Sequence, residues 1–187
     1  MEFAEVIRRR RMCRGYTGQD LPEDVLRSIL DLGLRFPSAG HTQPQEFVLV
    51  RDPAVKRDLG RAAFDQMFIA DAPVIVAVVS DTRRSGRRYG DRGVRFYSIV
   101  DGAFASMLIL LAAVDAGLGA AFVAAFDDDA VSQVLGLPSH VRPIGLIAIG
   151  HCAQPAEQVP RRSRKDVVHR DRYGTHLDWP TSFRQTR

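Results

Sequence analysis

Apolar residues in the first 35 positions recur at helical spacing. Phe3, Val6 and Ile7 share one stripe of a segment from 2 to 11, and Val25, Leu26, Ile29, Leu30 and Leu34 follow a 3.6-residue period. The second segment has Asp20 or Leu21 as a cap, Pro22 in its first turn and Phe36-Pro37 as its stop, so a helix is expected there. The period then changes. Glu46 to Val50 (EFVLV) reads as a short strand, Asp52-Pro53 opens a helix to about Ala63, and Val74 to Ser80 (VIVAVVS) is a continuous β-branched run. Such a run is the pattern of a strand covered on both faces.

Phe96 to Ala116 is apolar over nearly the length of a bilayer span, but Ser98, Asp101, Ser106 and Asp115 interrupt it. A central helix buried on nearly all sides is the better reading. Gly117-Leu118-Gly119 stops it, Ala120 to Phe126 reads as a strand, and Asp127-Asp128-Asp129 caps a helix to Leu135. Ile144 to Ile149 is the last core strand. The segment 82 to 93, TRRSGRRYGDRG, shows no apolar period and is expected to be a mobile loop. About five helices and four strands in irregular order indicate an α+β sandwich and not a doubly wound sheet.

Composition narrows this further. With 187 residues, 45% of them hydrophobic, the chain suffices for one buried core. Residues 1 to 173 are read as one domain, and 174 to 187 as a tail. The formal charge is +4, with 26 basic residues interspersed among 22 acidic ones, which suits an anionic small ligand as well as a polyanion. Lys56 and Lys165 are the only lysines, so the positive charge is almost all guanidinium, suited to bidentate contacts with phosphate. Cys13 and Cys152 are too few for a disulfide framework and lack metal-ligand spacing, so a reducing, cytoplasmic setting is expected, with no export signal and no membrane span.

Several chemistries lack their motifs. There is no HExxH or paired-histidine spacing, no GxSxG elbow, no GxGxxG after a strand and no GxxxxGK[ST]. No metal site is expected. A chain with so few catalytic side chains of its own points to a borrowed cofactor. Three segments look like parts of one site for an anion and a polar ring. Arg10-Arg11-Met12-Cys13-Arg14-Gly15-Tyr16 clusters guanidinium forks, although alone it is equally the solvated end of a helix. Pro37-Ser38-Ala39-Gly40-His41-Thr42-Gln43-Pro44 packs polar side chains between prolines that fix their directions. Gly117 to Asp127 leaves backbone N–H groups at Ala124 and Ala125 clear of bulky neighbours.

In that order and spacing, these segments resemble the nitroreductase-like FMN family from Val6 to about Tyr173. The family opening of arginine-arginine-serine-x-arginine-x-aromatic matches Arg10 to Tyr16, and its alanine-proline-serine-x-x-asparagine-x-glutamine-proline-tryptophan pattern matches Phe36 to Gln45. Gly117-Leu118-Gly119, the strand after it, Leu135-Gly136-Leu137-Pro138 and the basic stretch Arg161 to Val168 complete the match. The resemblance implies a three-layer α+β fold, with a mixed or antiparallel central sheet flanked by helices, in an intertwined homodimer. It implies FMN at the subunit interface and NAD(P)H as reductant. Hydride would pass through flavin N5 to a small oxidised acceptor, such as a nitroaromatic or a quinone, in two alternating half-reactions.

By the same resemblance, Arg10, Arg11, Met12 and Arg14 surround the FMN phosphate or ribityl chain, and Arg161 and Arg162 close over the phosphate. Pro37, Ser38, Ala39, His41 and Gln43 reach the partner subunit's flavin, and the N–H groups of Ala124 and Ala125 face N5 and O4. The helix from 94 to 116 forms much of the dimer interface; beyond the span of the resemblance, Trp179 in the tail is expected to pack on the partner. This chain departs from the pattern at Met12 for serine, His41 for asparagine, Gln45 for tryptophan and Ala125 for a glycine near N5. Met12 removes a phosphate hydroxyl ligand, and His41 and Gln45 are expected to alter the pocket. Relatives that fragment flavin to 5,6-dimethylbenzimidazole, relatives that bind coenzyme F420, and a flavin-storage protein without turnover are the alternatives. Nucleic-acid binding is disfavoured because only Tyr16 offers an aromatic ring near the arginine run.

Overall fold

The computed structural model describes residues 1–154 and 159–177. The chain forms two compact units, Met1–Glu157 and Gln158–Arg187. The first carries α1 (Phe3–Arg9), α2 (Glu23–Gly33), β1 (Gln45–Val50), α3 (Pro53–Ala62), α4 (Phe68–Asp71), β2 (Val74–Asp81), α5 (Thr82–Arg92), α6 (Ser98–Asp115), β3 (Gly119–Val123), α7 (Asp128–Leu135) and β4 (Val141–Gly150). The four strands form one sheet in the order β1-β2-β4-β3, and every neighbouring pair is antiparallel.

Period-two alternation along the two central strands builds a core on each face of this sheet. Val74, Val76 and Val78 of β2, with Ile147 and Ile149 of β4, pack with Leu26 and Ile29 of α2 and Ile109 of α6. Ile75 and Ala77, with Leu146 and Ala148, face the other way onto Leu59 of α3, Ile69 of α4 and Val131 of α7. All eight residues of β2 are buried, as its β-branched run implies. The result is three layers, helix, sheet and helix.

Two expectations are corrected here. Residues 82–92 form α5 and not a mobile loop. Asp81 caps it, its carboxylate accepting the Arg83 N–H at 3.0 Å, and the arginines are good helix formers. Hydrophobic periodicity was silent because the buried positions are small: Ser85 in α5 and Gly93 just after it. A Cβ on Gly93 would run into the Ser85 carbonyl, so the chain requires glycine at this close approach. A kink at Gly90 (φ 55°) and a π-helical turn over Gly93–Tyr97 lead into α6. Second, α6 is not buried all round. Its face with Asp101, Gly102, Ala105, Ile109 and Ala113 is buried, while Phe104 and Met107, with Phe96 just before the helix, form an exposed apolar stripe.

The second unit holds a short 3-10 turn, Arg164–Asp166, and an isolated bridge between His169 and His176. Trp179 lies outside the described residues.

Candidate functional site

Residues 10–16 leave α1 and run against the start of β3 and the end of β4. Met12 bridges Ala120 in parallel, and Tyr16 bridges Cys152 antiparallel. The Cys13 N–H donates to the Ala120 carbonyl at 3.1 Å, Thr17 to His151 at 3.0 Å and Ala153 to Gly15 at 2.9 Å. Cys13 and Cys152, expected as thiols of a reducing compartment, are joined in one disulfide with 6.0 Å between their Cα atoms. The Tyr16 hydroxyl lies 2.9 Å from the Cys13 carbonyl and 3.0 Å from that of Ala148, and burial pushes its pKa well up. The backbone of this loop is therefore an extension of the sheet.

Its side chains diverge. The Met12 thioether packs on the core and takes the Phe122 N–H at 3.5 Å, so only the backbone of Met12 can serve an anion. Arg11 folds back on the carbonyls of Arg8 and Arg10. With Arg9 it lines a recess of about 410 Å³ whose wall includes Gly117, Gly119 and Cys152. Arg9 also pairs with Glu5, as a solvated helix residue would. Arg14 is exposed, with no hydrogen-bond or ion-pair partner among the described residues, and lies close enough to Tyr16 to oppose the upward shift of its pKa.

The turn from Ser38 to Gln43 is built differently. Gly40, His41 and Gln43 all have positive φ, at 53°, 57° and 45°. A left-handed conformation costs an L-residue about 1–2 kcal/mol, and histidine, like the family's asparagine, is among the residues enriched there. Side chains hold the turn. The Ala39 N–H donates to both oxygens of Asp101, at 3.1 and 3.2 Å, and Ser38 Oγ accepts the Gln43 N–H at 3.0 Å. From α5, Arg88 Nη1 donates to the Gly40 carbonyl and Arg84 Nη1 to that of Gln43, each at 2.9 Å. A Cβ on Gly40 would run into the Tyr89 hydroxyl and the Arg88 side chain. His41 and Gln43 are exposed, their side chains 3.4 Å apart. Gln45, expected to shape the pocket, is 6% exposed and bonds the Ser98 carbonyl at 2.9 Å, inside the fold.

Sequence reasoning missed Asp101, Arg84 and Arg88 as parts of this arrangement. The available signal was a carboxylate inside an apolar helix, which is rarely buried without a partner. Asp101 is 2% exposed, and burial pushes its carboxyl pKa up, with the Ala39 N–H opposing.

Ala124 and Ala125 follow β3 directly, and both are exposed. Gln66 Nε2 donates to the Ala125 carbonyl at 3.0 Å, and no acceptor among the described residues takes either alanine's N–H. Among the described residues the donors have no acceptor and the carbonyl is fixed, an arrangement suited to a polar ring edge. In the second unit Arg161 is exposed, and Arg162 bonds the Asp166 carbonyl at 3.3 Å.

One chain does not bring the loop and the turn together. The loop lies where β4 ends and β2 begins, because Met12 pairs with Ala120, and Ile149 faces both Ala120 and Val74. The turn lies at the other end of β2, where the Asp81 N–H bonds the Pro44 carbonyl at 2.8 Å. Eight residues of β2 at about 3.3 Å each separate them by about 25 Å.

The three-layer α+β fold thus carries a loop with an exposed guanidinium at one end of its sheet and a preformed polar turn at the other. The family pattern described as "Nitroreductase family" matches residues 7–73 and 65–151, and the chain belongs to that family. It is 34% identical over 184 residues to an NADH dehydrogenase of Thermus thermophilus, covering 81% of this chain and 89% of that protein. It is 25% identical to an FMN reductase (NADPH) of Bacillus subtilis, over 97% of this chain and 77% of the relative. The crystal structure of nitroreductase A from Vibrio parahaemolyticus superposes with a TM-score of 0.85 at 26% identity, over 94% of this chain and 77% of the other.

Proposed function

We propose that the chain acts as a homodimer and is an FMN-dependent NAD(P)H oxidoreductase, reducing small oxidised acceptors of the nitroaromatic or quinone type. Family membership and the named relatives support the cofactor and the reductant. The observation that carries the reading is the placement of the loop and the turn at opposite ends of the sheet. Two copies related by a two-fold axis can bring the loop of one to the turn of the other, twice per dimer. The exposed stripe of Phe96, Phe104 and Met107 supplies an apolar surface for that pairing.

The residues present fit FMN. Arg14 offers an exposed guanidinium for the phosphate, and Arg10 precedes it at the C-terminal cap of α1. For Arg161 and Arg162 of the second unit, the resemblance to the family alone supports a role at a phosphate. The free N–H groups of Ala124 and Ala125 suit the polar edge of the ring, and Pro37, Ser38, Ala39, His41 and Gln43 of the partner copy cover it. Bound FMN supplies the hydride relay between reductant and acceptor. No protein acid or nucleophile is required. The chain's work is to fix the ring, to exclude water from its face and to offset negative charge with guanidinium groups and N–H dipoles.

An absorbance spectrum of the purified protein, followed by anaerobic addition of NADH or NADPH, tests this reading. A flavin spectrum that bleaches on addition, and returns with a quinone, is expected. A colourless protein that cannot be reconstituted with FMN contradicts it, and reconstitution by F420 alone would replace the cofactor.

A further inference from the structure

Three of the four residues from Gly40 to Gln43 sit at positive φ, and two of these carry side chains. A strained turn persists only where its surroundings over-determine it. Here the surroundings are two helices. Asp101 of α6 takes the Ala39 N–H on both oxygens, while Arg84 and Arg88 of α5 donate to the Gln43 and Gly40 carbonyls. Thr42 and Ser85 hydroxyls add a contact at 3.5 Å.

We infer that Asp101, Arg84 and Arg88 are positioning residues that clamp the Ser38–Gln43 turn from both sides, so that the turn presents one fixed shape to the flavin of the partner copy. The three touch the backbone of the turn and leave the side chains of His41 and Gln43 free to face a ring. Each is placed by its helix. Asp101 is buried in the first turn of α6, and Arg84 and Arg88 stand one helical turn apart on α5. The geometry also accounts for Gly40, where any Cβ would meet Arg88 and Tyr89. Arg84 is held in turn by Glu46 at 3.8 Å and Asp81 at 3.9 Å, so the clamp is anchored at the junctions of β1 and β2. This inference rests on the FMN reading for its consequence, but not for its geometry.

The test compares wild type, Asp101→Ala, Asp101→Asn and the double variant Arg84→Ala/Arg88→Ala. FMN is titrated into each apo-protein, amide hydrogen exchange is read at Ala39 and Gln43, and kcat is separated from KM. Asp101→Ala and the double variant are expected to bind FMN about ten-fold more weakly, the scale of a lost charged hydrogen bond. Exchange at the turn should quicken and kcat should fall more than KM rises. Asparagine keeps one acceptor for the Ala39 N–H and should restore binding to within about two-fold of wild type. Unchanged FMN affinity and unchanged exchange in both alanine variants would overturn the clamp. If Asp101→Ala does not fold, the double variant decides, because its arginines are exposed. A wild-type protein that ignores FMN would defeat the function reading instead, and the exchange rates would still judge the clamp.

Discussion

The loop at residues 10–16 and the turn at 38–43 are both read as flavin segments, yet they are held by opposite means. The loop is fixed by its own residues, through backbone bridges to Ala120 and Cys152 and a disulfide between Cys13 and Cys152. The turn is fixed through other residues' side chains, from α5 and α6. A segment held by its backbone tolerates a change of side chain, which is how Met12 can stand where the family has serine. A segment held by side chains depends on distant residues that its own sequence does not reveal.

Three perturbations of the loop and of the clamp's anchor sharpen this contrast. The largest is reduction of the disulfide. It spans 139 residues, and in the chain-entropy account a crosslink of that length contributes on the order of 5 kcal/mol. Thermal unfolding should therefore fall markedly with dithiothreitol, and the denatured, unreduced protein should show no free thiol. FMN affinity should change little, because the backbone bonds of the loop remain. Two titrating thiols would remove the covalent half of the comparison.

Tyr16→Phe comes next. Its hydroxyl is shared between the Cys13 and Ala148 carbonyls, so its loss should cost about 1–2 kcal/mol in chemical denaturation. Again flavin binding should barely move. A large loss of FMN affinity would show that the loop depends on side chains as the turn does.

The smallest effect concerns Asp81, which caps α5 and so supports the clamp. The Arg83 guanidinium bonded to Asp81 holds its carboxyl below the usual range. A depressed carboxylate contributes stability above its unfolded pKa and loses it as pH falls through the folded value. Asp81→Asn keeps an oxygen for the Arg83 N–H but loses the charged contact with the Arg83 guanidinium, so it should destabilise the protein by at most about 1 kcal/mol near neutrality, with the deficit shrinking on acidification. Asp101 has the opposite sign. Its raised pKa gives a contribution present in acid and lost as pH rises, so Asp101→Asn should gain relative to wild type with increasing pH.

Much of the fold was legible because its core follows simple periods. The β-branched run at 74–80 announced a strand covered on both faces, and α2 followed from its apolar stripe and its proline. The Gly117-Leu118-Gly119 stop and the Asp127 cap marked β3 and α7. α5 was not legible, since Ser85 and the Gly93 that follows it bury small residues and leave no apolar stripe. The direction of a side chain was equally hidden. Gln45 and Met12 turn inward, Arg11 folds back on the carbonyls of Arg8 and Arg10, and nothing in their spacing says so. Asp101 was visible only as an interruption in an apolar helix, and its role emerged from a contact across 62 residues.

We propose that each flavin site combines the loop of one copy with the turn of the other. Subunit complementation tests it most directly. One chain carries Arg10→Ala/Arg14→Ala, the other Gly40→Val, and the mixed dimer is isolated through two different tags. Each parent homodimer should be nearly inactive, while the mixed dimer holds one site with both segments intact and should show about half the wild-type activity. A mixed dimer no more active than its parents would place loop and turn in the same chain's site and contradict the account.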